Sequence, residues 1–210
     1  MKTLSARSVR NGTYDDAIVF REFYNWERWA RAEQLAPRGD WTTWLMLGGR
    51  GSGKTRAGAE WVRQLAAAGV TPIALVGQTM TEAMAVMVRG ESGLLAVHPM
   101  RQRPRIRGNV LHWRNGVEAT VLSASDPDRF RGPQFAAAWC DEVAKWPNAE
   151  AAWDMLQFAL RLGDRPRQYV GRRRRDGLKV RSRGRAGRRG ARLDRRVPGR
   201  SPWGERQLSW

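Results

Sequence analysis

Apolar side chains along the chain fall into two rhythms, stripes at helical spacing and short unbroken runs, and the two alternate. From Asp15 or Asp16, which suit a helix N-cap, to about Gln34, the residues Val19, Phe23, Trp26 and Ala30 recur three or four positions apart, with Phe20 and Tyr24 widening the stripe. This predicts a helix lying on a sheet. The unbroken run Trp44, Leu45, Met46, Leu47 predicts a buried strand, and a helix follows from near Lys54 to Ala68, where Gly69 suits the C-cap. Pro72 to Val76 predicts a second strand, so the order is strand, helix, strand, the unit from which parallel sheets are built. Thr81 to Val88 reads as helical.

Further along, VLHWRNGVEATVL holds two runs joined by Asn115 and Gly116, the pair favoured in type I′ hairpin turns. Phe135 to Cys140 is a short apolar run ending in Asp141 and Glu142. Asn148 suits the cap of a helix whose inner stripe is Trp153, Leu156 and Leu160 and which ends at Gly163. Arg167 to Val170 opens one more strand, and there the pattern stops. The chain thus divides into a flexible lead-in (1–14), an α/β domain (15–170) with a mainly parallel sheet flanked by helices, and an Arg/Gly-rich tail (171–210) with the composition of a disordered segment.

The turn between the first strand and its helix carries the chemistry. Gly48, four further residues, then Gly53, Lys54 and Thr55 fit G-x-x-x-x-G-K-S/T, the phosphate-binding loop of P-loop NTPases. Gly48, Gly49, Gly51 and Gly53 let the backbone curl with no Cβ in the way, so that successive N–H groups, Arg50 and Ser52 included, converge on a phosphate at a helix N-terminus. In that pattern Lys54 reaches the β and γ phosphates of ATP and Thr55 ligates Mg²⁺. Asp141 and Glu142 have the form of a Walker B strand end, with a catalytic carboxylate directly after the one that organises Mg²⁺. An apolar strand ending in Asp-Glu is a weak signal by itself; paired with the upstream P-loop it becomes a strong one. Gln34, shortly before the loop, suits the adenine edge, with an ordinary solvated loop residue as the alternative.

Charge changes this picture in two places. The chain has 38 Lys and Arg against 20 Asp and Glu, a net +18 that points to a polyanionic partner. Fifteen of those basic residues and only three acids lie in 171–210, so the domain itself is mildly basic. Arg101, Arg103, Arg105 and Arg107 alternate, and an extended backbone would turn all four guanidinium groups to one face, a track for DNA phosphates. Pro104 assigns that segment to a sheet edge, where the charges equally serve to block aggregation. The single cysteine, Cys140, excludes a disulfide framework, and two histidines, His98 and His112, leave no zinc constellation. With no signal-peptide core and no apolar run near roughly 18 residues, a soluble protein of a reducing compartment is expected.

LMLGGRGSGKTRAGAEWVR, SASDPDRFRGPQ, AAAWCDE and ALRLGDRPRQ together resemble the ATPase domain of the terminase large subunit, the DNA-packaging motor protein of tailed bacteriophages and related prophages or gene transfer agents, over about residues 20–170. The resemblance implies that Gly48 to Thr55 bind ATP, that Asp141 organises Mg²⁺ and that Glu142 positions the attacking water. It implies an arginine inside the P-loop, matched by Arg50, and another before the Walker B strand that acts on a neighbour's ATP in a homo-oligomeric ring, best matched by Arg131. The residues themselves leave other roles open: Arg50 bonded to a loop carbonyl, Arg131 paired with Asp126 or Asp128. Implied partners are double-stranded DNA, a portal ring and a small terminase subunit. The implied location is the cytoplasm of a bacterial host, transiently at the procapsid.

The family also implies a strand after the Walker B helix that lies between the P-loop and Walker B strands, and a C-terminal nuclease domain with clustered acids. Arg172 to Arg175 are four consecutive charges, incompatible with a strand buried on both faces, so that strand is expected to end at Val170 and leave the domain incomplete. The composition beyond it is that of a G and C rich gene read out of frame. Asp176, Asp194 and Glu205 are too scattered for a two-metal site, so a truncated ATPase, weak or inactive as a motor and without nuclease activity, is expected. Two other readings stay open: a non-enzymatic nucleic-acid binder on a P-loop scaffold, and another DNA-translocating or helicase-like ATPase.

Overall fold

A computed structural model of the chain describes residues 21–173, 178–180 and 193–195. The helix expected to run to Gln34 is broken: residues 21–23 are helical, Tyr24 turns, and α1 (Trp26–Trp29) is followed by a 3-10 turn at Ala32–Gln34. Ala30 and Arg31 between them are extended, with ψ of 144° and 155°. Tertiary docking overrides the helical stripe here, because the break lets both Trp26 and Gln34 become buried. The lead-in and the first turns of the expected helix lie outside the described residues.

Seven strands form the main sheet: β1 (Thr43–Gly48), β2 (Ile73–Gly77), β3 (Arg105–Arg107), β4 (Val110–His112), β5 (Glu118–Ser123), β6 (Ala137–Cys140) and β7 (Arg167–Arg173). Their order is β1-β7-β6-β2-β5-β4-β3, parallel from β1 to β5 and antiparallel at the β4 and β3 edge. Against it lie α2 (Lys54–Ala67), α3 (Met80–Ala83) with a π-helical continuation to Val88, α4 (Leu94–Val97) and α5 (Ala149–Ala159). This is the mainly parallel α/β sheet flanked by helices that the sequence predicts.

Burial on both faces explains why the central strands β2 and β6 read as unbroken apolar runs rather than as alternation. All five residues of β2 are buried: Ile73 and Leu75 join the α2 face with Trp44, Met46, Trp61, Trp139 and Tyr169, while Ala74 and Val76 join the α5 face with Cys140, Val170, Trp153 and Leu156. Helix α2 presses so closely on the sheet that a Cβ at Gly58 would overlap the Trp139 indole. Alanine there would be expected to strain the packing by about 1–3 kcal/mol.

Strand β7 lies between β1 and β6, as the family resemblance implies, but it does not end at Val170. Gly171, Arg172 and Arg173 continue it, with Leu47 opposite Arg172 and Gly48 opposite Arg173. Arg172 is buried. Arg172 is accommodated because the carboxyl ends of parallel strands leave the apolar layer and enter the polar layer beside the glycine-rich loop and Asp141. Beyond, β8 (Leu178–Val180) and β9 (Leu193–Arg195) pair antiparallel as a separate two-stranded sheet. What the sequence predicts for the rest of 174–210 lies outside the described residues.

The hairpin forms, with β4 antiparallel to β5, but not through a type I′ turn, which needs positive φ at both central residues. Gly116 has φ 84° but Asn115 does not have positive φ, and Trp113 N–H donates to Val117 O at 2.9 Å across a three-residue loop. Asn115 also ties the turn to α2, donating from Nδ2 to Ala66 O at 2.8 Å. His112 has a partner after all, Glu118 Oε1 at 3.0 Å across the hairpin. His98 is buried and fixed as the neutral ring: Nδ1–H donates to Leu94 O at 2.7 Å and Nε2 accepts from the Trp113 indole at 2.9 Å. Burial pushes its pKa down to about 4.

Candidate functional site

Strand β1 delivers the chain to a loop, residues 49–53, that hands over to α2 at Lys54. Gly51 and Gly53 take the left-handed conformation at φ 74° and 81°, which a side chain would strain. The Ser52 side chain folds back over Gly48, where a Cβ would overlap it, and donates from Oγ to Gly49 O at 2.9 Å. Lys54 is buried, and its ammonium donates to Gly48 O at 3.1 Å and Gly49 O at 2.9 Å. Thr55 is half-buried in the first turn of α2, and Arg50 is exposed on the loop. Gln34, for which the sequence leaves an adenine contact and a solvated loop role open, is not solvated: it is buried and its amide is engaged with the protein. Nε2 donates to Ser52 O at 3.2 Å, and Oε1 accepts from Arg31 N at 3.0 Å.

Across from the loop, β6 ends in Asp141 and Glu142. Asp141 is held at both backbone ends: its N–H donates to Val76 O at 2.9 Å, and the Trp146 indole donates to its carbonyl at 3.0 Å. Its side chain is buried, and Oδ1 has no hydrogen-bond partner. Burial and then the adjacent Glu142 carboxylate push the Asp141 carboxyl up to about 6, against the opposing charges of Lys54 and Lys145. Glu142 has φ 45°, the only positive φ of a non-glycine residue among the described residues, and its Oε1 stands 3.7 Å from Lys54 Nζ. A recess beside the two carboxylates is lined by Gly77, Gln78, Glu82 and Met87, with Lys145 paired to Glu82 at 3.5 Å.

The central position of β7 places two residues here that the sequence did not single out, and the turn after β6 adds a third. Tyr169 donates its hydroxyl to Lys54 O at 2.7 Å, pinning the start of α2 to the sheet. Gly171 faces the site: a Cβ there would lie 3.2 Å from Asp141 Oδ1 and 3.7 Å from Lys54 Cβ. A glycine inside a strand is the one available sequence signal, since it marks a close approach. Trp146, the third, follows Asp141 and Glu142 by a few residues and reads only as apolar.

A lysine ammonium, a glycine-rich loop with left-handed turns, and a buried unpartnered carboxylate oxygen at neighbouring strand ends together suit a phosphate chain with a divalent cation. Residues 45–174 match the family described as terminase large subunit, T4likevirus-type, N-terminal. The chain belongs to the terminase large subunit family. No curated protein matches it in sequence. Among solved structures it is similar in fold to the large terminase of a thermophilic bacteriophage in complex with ADP, at TM-score 0.51 and 16% identity, over 72% of this chain and 37% of that one. The Thermus phage P74-26 large terminase ATPase domain superposes at TM-score 0.43 and 18% identity, over 68% of this chain and 60% of that one. This terminase-family chain therefore spans well under half of the full-length phage protein, 37% of it. The family match runs to residue 174, four residues past the expected break at Val170.

The remaining residues implied by the terminase resemblance sit apart from the loop and carboxylates. Arg131 pairs with Asp128 at 3.2 Å, and Arg129 with Asp126 at 2.8 Å, both on the exposed stretch before β6. Of the four alternating arginines, only Arg105 and Arg107 share a strand, β3, at the sheet edge as Pro104 predicts. Arg101 lies in a 3-10 turn (Met100–Gln102) and Arg103 closes it, so the four do not form one extended face. All four are exposed.

Proposed function

We propose that the chain binds and hydrolyses Mg·ATP as the ATPase domain of a phage DNA-packaging motor, coupling hydrolysis to movement of double-stranded DNA into a procapsid. The observation that carries this is the convergence, at the ends of β1, β7 and β6, of Lys54, Glu142 3.7 Å from it, and the buried Asp141 Oδ1 without a partner. That oxygen and the Thr55 hydroxyl fit Mg²⁺, a hard cation that takes one or two protein oxygens and keeps phosphate and water ligands. Bound there, Mg²⁺ would neutralise negative charge on the phosphates.

The chain's own residues supply the rest. Residues 48–55 cradle the phosphates with backbone N–H groups, and Lys54 places a positive charge on them. Glu142 orients the attacking water and accepts its proton, its left-handed backbone aiming the carboxylate back across the site toward Lys54. Arg50 on the loop, and Arg131 from a neighbouring copy in a ring, stabilise the transferring phosphoryl group. The exposed pairing of Arg131 with Asp128 is weak enough to exchange for that role. Arg101, Arg103, Arg105 and Arg107 contact the DNA backbone without reading sequence. A portal ring and a small terminase subunit are the expected partners, and the host cytoplasm, then the procapsid, the expected place.

The test is phosphate release from ATP by the full chain, with and without Mg²⁺ and double-stranded DNA. Magnesium-dependent turnover stimulated by DNA supports the proposal. Salt-sensitive DNA binding with no nucleotide binding would leave only a basic scaffold. Stimulation by a small terminase subunit or a portal ring separates a packaging motor from other DNA translocases.

A further inference from the structure

The segment ahead of the sheet is fastened to the P-loop and its helix at several points. Glu60, buried on α2, receives Arg56 at 2.7 Å on one oxygen and Arg63 at 2.7 Å on the other. Those arginines reach outward: Arg63 Nη2 donates to Tyr24 O at 2.9 Å, and the Arg56 guanidinium lies 5.4 Å from the centre of the Trp26 ring. The segment ends on the loop itself. Arg31 Nη2 donates to Ser52 O at 2.6 Å, and Gln34 Nε2 donates to the same oxygen at 3.2 Å. Gln34 is only 6% exposed, and its Oε1 accepts from Arg31 N, so the two donors hold each other in place.

A peptide unit is planar and trans, so its C=O and the following N–H point in opposite directions. Drawing the Ser52 carbonyl outward onto Arg31 and Gln34 therefore turns the Gly53 N–H inward, toward the concave side of the loop. Gly53 must be glycine for the same arrangement: its φ is 81°, and a Cβ would overlap Gln34 Nε2. Ser52 O is the only loop carbonyl that residues 31–34 hold among the described residues.

We infer that Gln34 and Arg31 are positioning residues, which orient the Ser52–Gly53 peptide for a phosphate and contribute nothing to the choice of base. The inference rests on the nucleotide-binding reading above. It differs from the adenine contact expected of Gln34 because the amide acts on loop backbone that every nucleoside triphosphate shares.

The experiment uses the full chain with Gln34→Glu, which keeps size and the acceptor for Arg31 N but loses the donor to Ser52 O. Arg31→Ala and Arg31→Lys accompany it, the former removing an exposed side chain without touching the core. Binding of Mg·ATP and Mg·GTP is measured for each, and amide hydrogen exchange of the loop peptide is followed without nucleotide. Gln34→Glu and Arg31→Ala are expected to weaken both nucleotides about equally, by roughly 5-fold to 10-fold, and to speed loop exchange severalfold, with Arg31→Lys recovering most of the affinity. Loss of ATP binding with GTP binding unchanged would overturn the inference, as would unaltered loop exchange in Gln34→Glu. If the unsubstituted chain bound neither nucleotide, the proposed function would fall, while the exchange measurement would still decide whether Gln34 and Arg31 hold the loop.

Discussion

The two sides of the candidate site are built on opposite terms. On the loop side the polar groups are matched: Lys54 Nζ sits on the Gly48 and Gly49 carbonyls, Ser52 Oγ shares that of Gly49, and Ser52 O receives two donors. On the carboxylate side Asp141 Oδ1 is buried without a partner, its carboxyl is pushed up to about 6, and Glu142 occupies left-handed backbone at φ 45°. That conformation costs a non-glycine residue about 1–2 kcal/mol. The loop is thus a self-supporting scaffold, whereas the carboxylate side holds the unfavourable terms, which a cation and a phosphate would relieve. Costs of this kind persist only where surrounding structure enforces them, and here Trp146 and Val76 fix the Asp141 backbone from both sides.

The sharpest test of that contrast is Glu142→Gln. The amide keeps the shape but cannot take a proton, so turnover should fall by about 10²-fold to 10⁴-fold while Mg·ATP affinity stays within a few-fold, read from phosphate release and equilibrium binding. Hydrolysis at the parent rate would remove Glu142 from the carboxylate side's chemistry. On the loop side, Lys54→Ala should lower Mg·ATP affinity by about 100-fold or more, because phosphate charge is left uncompensated in a largely dehydrated site. Undiminished affinity in a folded variant would break the phosphate assignment of the loop.

A thermodynamic test separates the two sides without nucleotide. The folded-state pKa of Asp141 lies near 6, above its ordinary 3.8, so the folded protein binds more protons than the unfolded one between these values. Stability attributable to Asp141 therefore falls as pH rises through that window. His98 acts oppositely: its folded pKa near 4 lies below 6.5, so its contribution is present above 6.5 and lost as pH falls toward 4. Asp141→Asn should stabilise the metal-free protein by about 1–3 kcal/mol at pH 7 and expose the His98 slope, a melting temperature that drops steadily on acidification from pH 6.5 to 4. A variant no more stable than the parent at pH 7 would mean that the buried carboxylate carries no such cost. The smallest effect belongs to a residue outside both sides: Arg131→Ala should change stability by less than about 0.5 kcal/mol, since its pair with Asp128 is exposed. A large loss in thermal melting would reassign Arg131 from a partner-facing role to a structural one.

Local order explains what could be read from the residues alone. Gly48 to Thr55 form one contiguous loop and helix start, the hairpin turns on adjacent Asn115 and Gly116, and Asp141 follows directly on an apolar strand. Such features are legible because their partners are a few residues away or are set by periodicity. The apolar runs of β2 and β6 likewise announce burial on both faces, and with it a parallel sheet, whereas the equally apolar run of β1 lies at the sheet edge and leaves Leu47 exposed.

Contacts across the fold could not be read in that way. The helical stripe from Val19 to Ala30 carries no sign that the chain breaks at Tyr24 and extends at Ala30, because the break is stabilised by docking on Glu60's arginines and on Ser52. Four consecutive arginines look fatal to a central strand, yet β7 continues through Arg172 and Arg173 where the strand ends enter the polar layer of the site. Gln34 could be read as a base contact or as a solvated loop residue, and nothing local shows that it is buried and bonded to Ser52 O, 18 residues away in the chain. Tyr169 meets Lys54 across 115 residues, and Gly171 meets Asp141 because β7 lies between β1 and β6. Sequence by itself determined the alternation of strands and helices and the glycine-rich turn between β1 and α2, since those follow from local spacing and backbone freedom. The order of the strands, and with it which carboxylate, amide and glycine share one site, was decided only by tertiary packing, because strand order brings distant residues together and leaves no period in the chain.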